Sequence, residues 1–125
     1  MPVYIMSDKV ARPRMPRSHA VTTGSLVFVS VTPNAPDRRL DKGDFAAQMR
    51  QCMESLGTLL AEAGSSFDQV VKMNLFLARV REDSAVMNEI YSSYFDPDRL
   101  PIRTTVGVTL PNPDFLLELE CVAER

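Results

Sequence analysis

The chain has no tryptophan, one histidine, two cysteines and five glycines among its 125 residues, and the shortages of cysteine and histidine each remove a class of protein. Cys52 and Cys121 stand far apart with no Cys-x-x-Cys spacing, and His19 is the lone imidazole. Neither a disulfide framework nor a zinc site can be assembled from those ligands, and both thiols are expected to be buried packing residues. The longest apolar runs, "SLVFVSV" and "FLLEL", fall far short of the roughly 20 residues that a membrane span needs. The opening "MPVYIMSDK" has no apolar centre of the kind an export signal carries, so the cytoplasm is the default expectation. A formal net charge of −2 disfavours a nucleic-acid partner, although "KVARPRMPR" gathers Lys9, Arg12, Arg14 and Arg17 in one segment. Repeats, low-complexity tracts and long linkers are missing as well, so residues 1–125 are read as one domain around one core.

What is present is a globular composition, with 45% apolar and 24% charged residues. "SHAVTTGSLVFVSVTP" reads as two extended pieces meeting at Thr23-Gly24-Ser25, a hairpin stopped by Pro33. In "GDFAAQMRQCMESLGTLLAEAG", Phe45, Met49, Met53, Leu56, Leu60 and Ala63 keep the three-and-four spacing of one helical face. Asp44 is placed to cap its start and Gly64 to end it in a left-handed conformation. "DQVVKMNLFLARV" is a strand, with Val71, Met73, Leu75 and Leu77 expected on one face. "EDSAVMNEIYSSYF" returns to helical spacing and must stop before Asp96-Pro97. Tyr91, Tyr94 and Phe95, like the methionines of the first helix, are read as core, and His19 as a surface residue near a strand start. Two final strands, near 103–109 and 115–123, flank the loop residues "LPNPD" and are expected to form a hairpin. The order β-β-α-β-α-β-β predicts an α+β fold, a mixed sheet with two helices on one face. The opposite face would be bare, and so small a domain must cover it with other copies of itself.

The stretch "LPIRTTVGV" sets Arg103 inside a strand. Together with "GSLVFVS", "AGSSFDQVVKMNLFL", "MNEIYSSYF" and the ending "LPNPDFLLELECVA", it resembles the reactive intermediate deaminase family, called RidA or YjgF and also labelled L-PSP endoribonuclease. The likeness covers residues 16–124. It implies a chorismate-mutase-like fold, a homotrimer, ligand clefts between neighbouring subunits and no cofactor. It also implies a metal-independent deaminase that hydrolyses 2-imino or 2-enamino acids to 2-keto acids and ammonia. Carried over by position, Arg103 matches the arginine that holds the substrate carboxylate, and Glu118 the glutamate that places and deprotonates water. Ser30 matches a serine lining the cleft, and Thr105 a small residue offering its backbone N–H. Two positions depart from the family. Arg17 stands where many members carry tyrosine, and Val31 where they carry glycine, which changes the pocket's shape and charge.

The residue types suit that chemistry on their own terms. A guanidinium fork orients a carboxylate through two parallel hydrogen bonds. A carboxylate can take a proton from water and return it to the leaving nitrogen, which typically contributes 10²- to 10⁴-fold in rate. Other readings stay open. Arg103 could pair structurally with Glu118 or Glu120, depending on a hairpin register that the loop does not fix. The protein could be a deaminase specialised for a dicarboxylate such as an aminomuconate, Arg17 supplying the second cation. It could be a non-catalytic carboxylate-binding or chaperone-like trimer, or bind and cleave RNA through its basic segment.

Overall fold

The computed structural model describes residues 1–125. In chain order the elements are β1 (Val3–Ile5), β2 (Ala20–Thr23), β3 (Leu26–Val31), α1 (Phe45–Glu62), a single 3₁₀ turn (Phe67–Gln69), β4 (Val70–Leu77), α2 (Val80–Ser92), β5 (Ile102–Gly107) and β6 (Leu117–Glu124). The β2–β3 hairpin closes with Thr23 opposite Leu26, and Gly24 adopts φ +55 in the two-residue loop. Asp44 caps α1, its side chain accepting the Ala47 N–H at 3.0 Å. The helix ends with Gly64 at φ +81, the Gly64 N–H donating to the Ala61 carbonyl and the Ser65 N–H to the Leu60 carbonyl. This paired closure satisfies carbonyls that the last turn leaves free.

The six strands form one mixed sheet in the order β1-β2-β3-β6-β4-β5. The β4-α2-β5 unit is a parallel crossover, whereas β6 runs antiparallel to both β3 and β4. Both helices cover one face. Met49, Met53, Leu56 and Leu60 of α1, with Met87 of α2, meet Val27, Val29, Met73, Leu75 and Leu119 from the strands, all buried in one cluster. Cys52 and Cys121 lie in that cluster, and burial pushes both thiols up, Cys121 to about 12. Tyr91 and Phe95 are core residues too, with Tyr94 packed against them.

Three local expectations are corrected and one strand is added. The last two strands form no hairpin, because β6 inserts between β3 and β4 and leaves β5 at the edge. Val71 does not share a face with Met73: the register shifts between Val70 and Lys72, so Val70 enters the core and Val71 is exposed. The short strand β1, which pairs with β2, was not anticipated. His19 is not at the surface but is 1% exposed. Its Nδ1 accepts the Ser7 N–H at 2.9 Å, and its Nε2 lies 2.8 Å from the Ala11 carbonyl. The ring therefore ties the segment 7–11 to the sheet.

The face opposite the helices has no cover within the chain. Along β3, β6, β4 and β5 it carries Phe28, Ser30, Glu118, Glu120, Asn74, Phe76, Thr104 and Val106 by register. Phe28, Val106 and Ile102 are exposed there.

Candidate functional site

Parallel pairing puts Arg103 beside Met73 and Thr105 beside Leu75, which places both on the helix side of the sheet. Because β5 is an edge strand, Arg103 stays exposed at the rim. Its guanidinium carbon lies 5.0 Å from the centroid of the Tyr91 ring, a stacking contact that orients the fork without neutralising it. The ion pairs of the chain are Arg39–Asp41, Lys42–Asp114 and Arg79–Asp83, so Arg103 has no acidic partner. The structural-pair reading of Arg103 with Glu118 or Glu120 is thereby excluded. The Tyr91 hydroxyl and Thr105 Oγ1 are both buried with no hydrogen-bond partner. Burial raises the Tyr91 phenol to about 12, with Arg103 pulling the other way.

Glu118 alternates with the buried Leu117 and Leu119 and therefore projects from the uncovered face, in register with Phe76. Burial holds its carboxyl above the usual glutamate range, and the nearby Arg17 guanidinium opposes that shift. Arg17 itself is lowered by burial and supported by Glu118. Its Nη1 donates to the carbonyls of Ser18 and Ser30, each at 3.2 Å, which pins the guanidinium against the end of β3. Two residues along β6, Glu120 sits opposite Ser30 and accepts a hydrogen bond from Asn74 Nδ2 at 3.1 Å.

Two depressions follow from this arrangement. A cavity of about 690 Å³ is lined by Glu118, Arg17 and the loops that carry Arg12, Arg14, Arg38 and Lys42. A groove of about 390 Å³ runs over the open face past Ser30, Asn74 and Glu120. The chain thus brings Arg17, Ser30 and Glu118 together on one side and Arg103 with Thr105 on the other. Val31 joins neither group through its side chain, which is 1% exposed in the core. Anything it offers a ligand is backbone, and its branched side chain does not narrow the cavity. Sequence reading had no signal for Arg38, and it took Tyr91 for packing alone; the phenol ring is packed, and it also supports Arg103. No group of three or more His, Cys, Asp or Glu residues is arranged to hold a metal ion.

A helix-backed mixed sheet with an arginine on its edge strand and a half-buried carboxylate on its open face defines a small α+β protein built around clefts at the sheet. The endoribonuclease L-PSP family model matches residues 9–125. A RutC family protein of Pyrococcus abyssi is 36% identical over 123 residues, spanning 97% of this chain and 95% of that protein. The mitochondrial protein mmf2 of Schizosaccharomyces pombe is 37% identical over 111 residues, 86% of each chain. Among solved structures, the Rid-family protein YyfA of Yersinia pestis superposes with a TM-score of 0.91 at 29% identity, covering 100% of both chains. Escherichia coli TdcF with bound serine gives 0.88 at 29% identity over 98% of each. The chain belongs to the endoribonuclease L-PSP family, also known as the YjgF/RidA family. No helix is long and apolar enough to cross a membrane.

Proposed function

We propose that this protein is a deaminase that hydrolyses 2-imino and 2-enamino acids to 2-keto acids and ammonia, working as a homotrimer with its sites between subunits. The observation that carries the reading is the unpaired Arg103 guanidinium, set over Tyr91 on an edge strand beside buried hydroxyls that have no partner. Such a fork lacks an anion, and a substrate carboxylate supplies one. Glu118 is the water-activating base, half-buried and raised toward the range where a carboxyl exchanges protons effectively. Arg103 and Glu118 leave opposite faces of one sheet. A single chain cannot close them on one substrate, whereas a neighbour covering the open face can. Cover for Phe28, Val106 and Ile102 is what that neighbour would provide.

In the reaction, Arg103 fixes the carboxylate and so presents one face of the C=N carbon. Glu118 takes a proton from water as the oxygen adds to that carbon and returns it to nitrogen, giving a carbinolamine; it then carries the hydroxyl proton to the amino group, so that the C=O bond forms as the C–N bond breaks and ammonia leaves. Orientation and one carboxylate that relays both protons in turn are the whole demand, because imines already hydrolyse in water. Thr105 and Ser30 are assigned to the cleft lining, and Val31 contributes backbone only.

The name of the family model favours RNA cleavage as a second reading, and His19 argues against it. The one imidazole of the chain is buried and both ring nitrogens are occupied, so it is not free to act as acid or base on a ribose hydroxyl. The test is ammonia release from 2-iminopropanoate generated in place by an amino-acid oxidase. Acceleration over buffer that is lost in Arg103→Ala supports the deaminase, and no acceleration by the purified oligomer removes it.

A further inference from the structure

The cavity beside Glu118 holds far more positive charge than one carboxylate requires. Arg12, Arg14, Arg17, Arg38 and Lys42 line it, against Glu118 and Asp114. Lys42 is already paired with Asp114 at 3.5 Å, and Arg17 spends one nitrogen on two backbone carbonyls. Arg12, Arg14 and Arg38 form no ion pair at all. Arg38 is the most telling of them. It takes φ +72, the one residue other than glycine in the chain with a positive φ, a conformation uncommon enough to need a reason. Its Nη1 is buried without a hydrogen-bond partner, although buried donors are nearly always met. The turn that imposes this backbone is closed by the Arg38 N–H on the Ala35 carbonyl and the Ala35 N–H on the Arg39 carbonyl. The loop is therefore bonded into a shape that leaves the guanidinium at the cavity, lacking only an acceptor.

We infer that Arg17 and Arg38, aided by Arg14, form a second anion subsite, and that the substrate is a 2-imino dicarboxylic acid whose distal carboxylate they hold. The inference rests on the deaminase reading for the role of Arg103, which takes the carboxylate next to the reacting carbon. The second subsite stands on the cavity alone. Its volume, about 690 Å³, is that of a small-molecule site. Clustered guanidinium groups repel one another until an anion enters, and each planar fork fits a carboxylate through paired bonds. Glu118 in the same cavity repels that distal carboxylate. The excess of cations over this one acid decides the balance in favour of binding, and Glu118 stays free for water.

The test is titration calorimetry with two product-like probes of the same head group, 2-oxobutanoate and 2-oxoglutarate, on wild type, Arg38→Gln and Arg14→Gln. Wild type should bind 2-oxoglutarate about tenfold or more tightly, the worth of one charge-assisted bond. Arg38→Gln should erase that preference and leave 2-oxobutanoate unchanged. Equal affinities, no binding of 2-oxoglutarate, or a preference that survives both substitutions would overturn the inference. Salt-sensitive capture of a single-stranded RNA through Arg12 and Arg14 with no hold on 2-oxoglutarate would do the same. Turnover of 2-iminopropanoate and of 2-iminoglutarate, each generated in place by an amino-acid oxidase, separates the two ideas. An active enzyme without dianion preference loses only the subsite, and dianion preference without turnover loses only the deaminase.

Discussion

Two dead variants should make a live enzyme. Arg103 lies on β5 and faces the helices, Glu118 lies on β6 and faces away, and β4 runs between them. On the proposed mechanism a working site needs Arg103 from one subunit and Glu118 from the next. Removing Arg103 deletes a two-pronged charged contact, each prong worth roughly 1.5–3 kcal/mol, so Arg103→Ala should lower kcat/KM by about 10² or more. Glu118→Gln removes the proton relay and should cost about 10²- to 10⁴-fold in kcat. When the two are unfolded and reassembled at equal amounts, random assortment in a closed ring gives about one site in four both native residues. Ammonia release should rise to about a quarter of wild type, far above either parent. The control mixes wild type with the double variant: a shared site again leaves about a quarter of the sites intact, whereas a site within one chain leaves about half. Recovery no greater than the mean of the parents would refute the shared site, and with it the roles assigned to both residues.

Other outcomes follow from the same geometry. Glu118 has a folded pKa raised by burial, so the folded state holds its proton where the unfolded chain releases it. Its stabilising contribution is complete below the unfolded value, about 4.3, and fades as pH rises through the folded value. Glu118→Gln should therefore melt higher than wild type at pH 8 and show no such advantage at pH 4, and an advantage that grew toward acid would reverse the argument. Tyr91→Phe deletes a buried hydroxyl that has no partner, so in the absence of ligand it should be neutral or stabilising by up to about 1 kcal/mol in urea unfolding. A loss above that would show that the hydroxyl is engaged in the assembled protein. His19→Ala unties the segment 7–11 by removing two buried hydrogen bonds, for an expected loss of about 2–3 kcal/mol and faster amide exchange at Ser7.

The elements that sequence alone revealed are those whose ends are chemically marked. Asp44 and Gly64 bracket α1, and Thr23-Gly24-Ser25 turns the first hairpin; both signals are local, and both operate as local chemistry predicts. Strand partners are a different matter. β6 bonds to β3 and β4 rather than to β5, its neighbour in sequence. Nothing in "LPNPD" distinguishes a tight turn from a connection across β4, because the choice is made by where two alternating apolar faces find their cover. The bulge between Val70 and Lys72 escaped for the same reason, since an unbroken run of apolar residues carries no mark of where its period slips. His19 was misplaced because a buried imidazole needs two partners, and here they are backbone groups at Ser7 and Ala11 that composition cannot reveal. The candidate site divides along the same line. Arg103 and Glu118 were visible as residue types in a motif. Their opposite orientations, the basic cavity and the unmet donor of Arg38 depend on pairing and loop shape.

The open face also bears on how Glu118 could serve as the proposed base. A carboxylate on an uncovered sheet should be well hydrated and ordinary, yet Glu118 is already raised in the lone chain, with burial the leading cause. A second subunit laid over Phe28, Phe76 and Val106 would strip further water and push the carboxyl higher still, toward a protonated group useless for activating water. The opposing influence is positive charge. Arg17 supplies some within the chain, and on the proposed assembly the neighbour's Arg103 supplies more while its own anion is absent. When the substrate carboxylate binds and neutralises that guanidinium, the pull on Glu118 weakens and its proton affinity rises as water is presented. Basicity is then a property of the occupied interface rather than of the residue. The acid limb of the rate profile for kcat should accordingly lie at higher pH than that for kcat/KM, since the first reports the occupied site and the second the empty one.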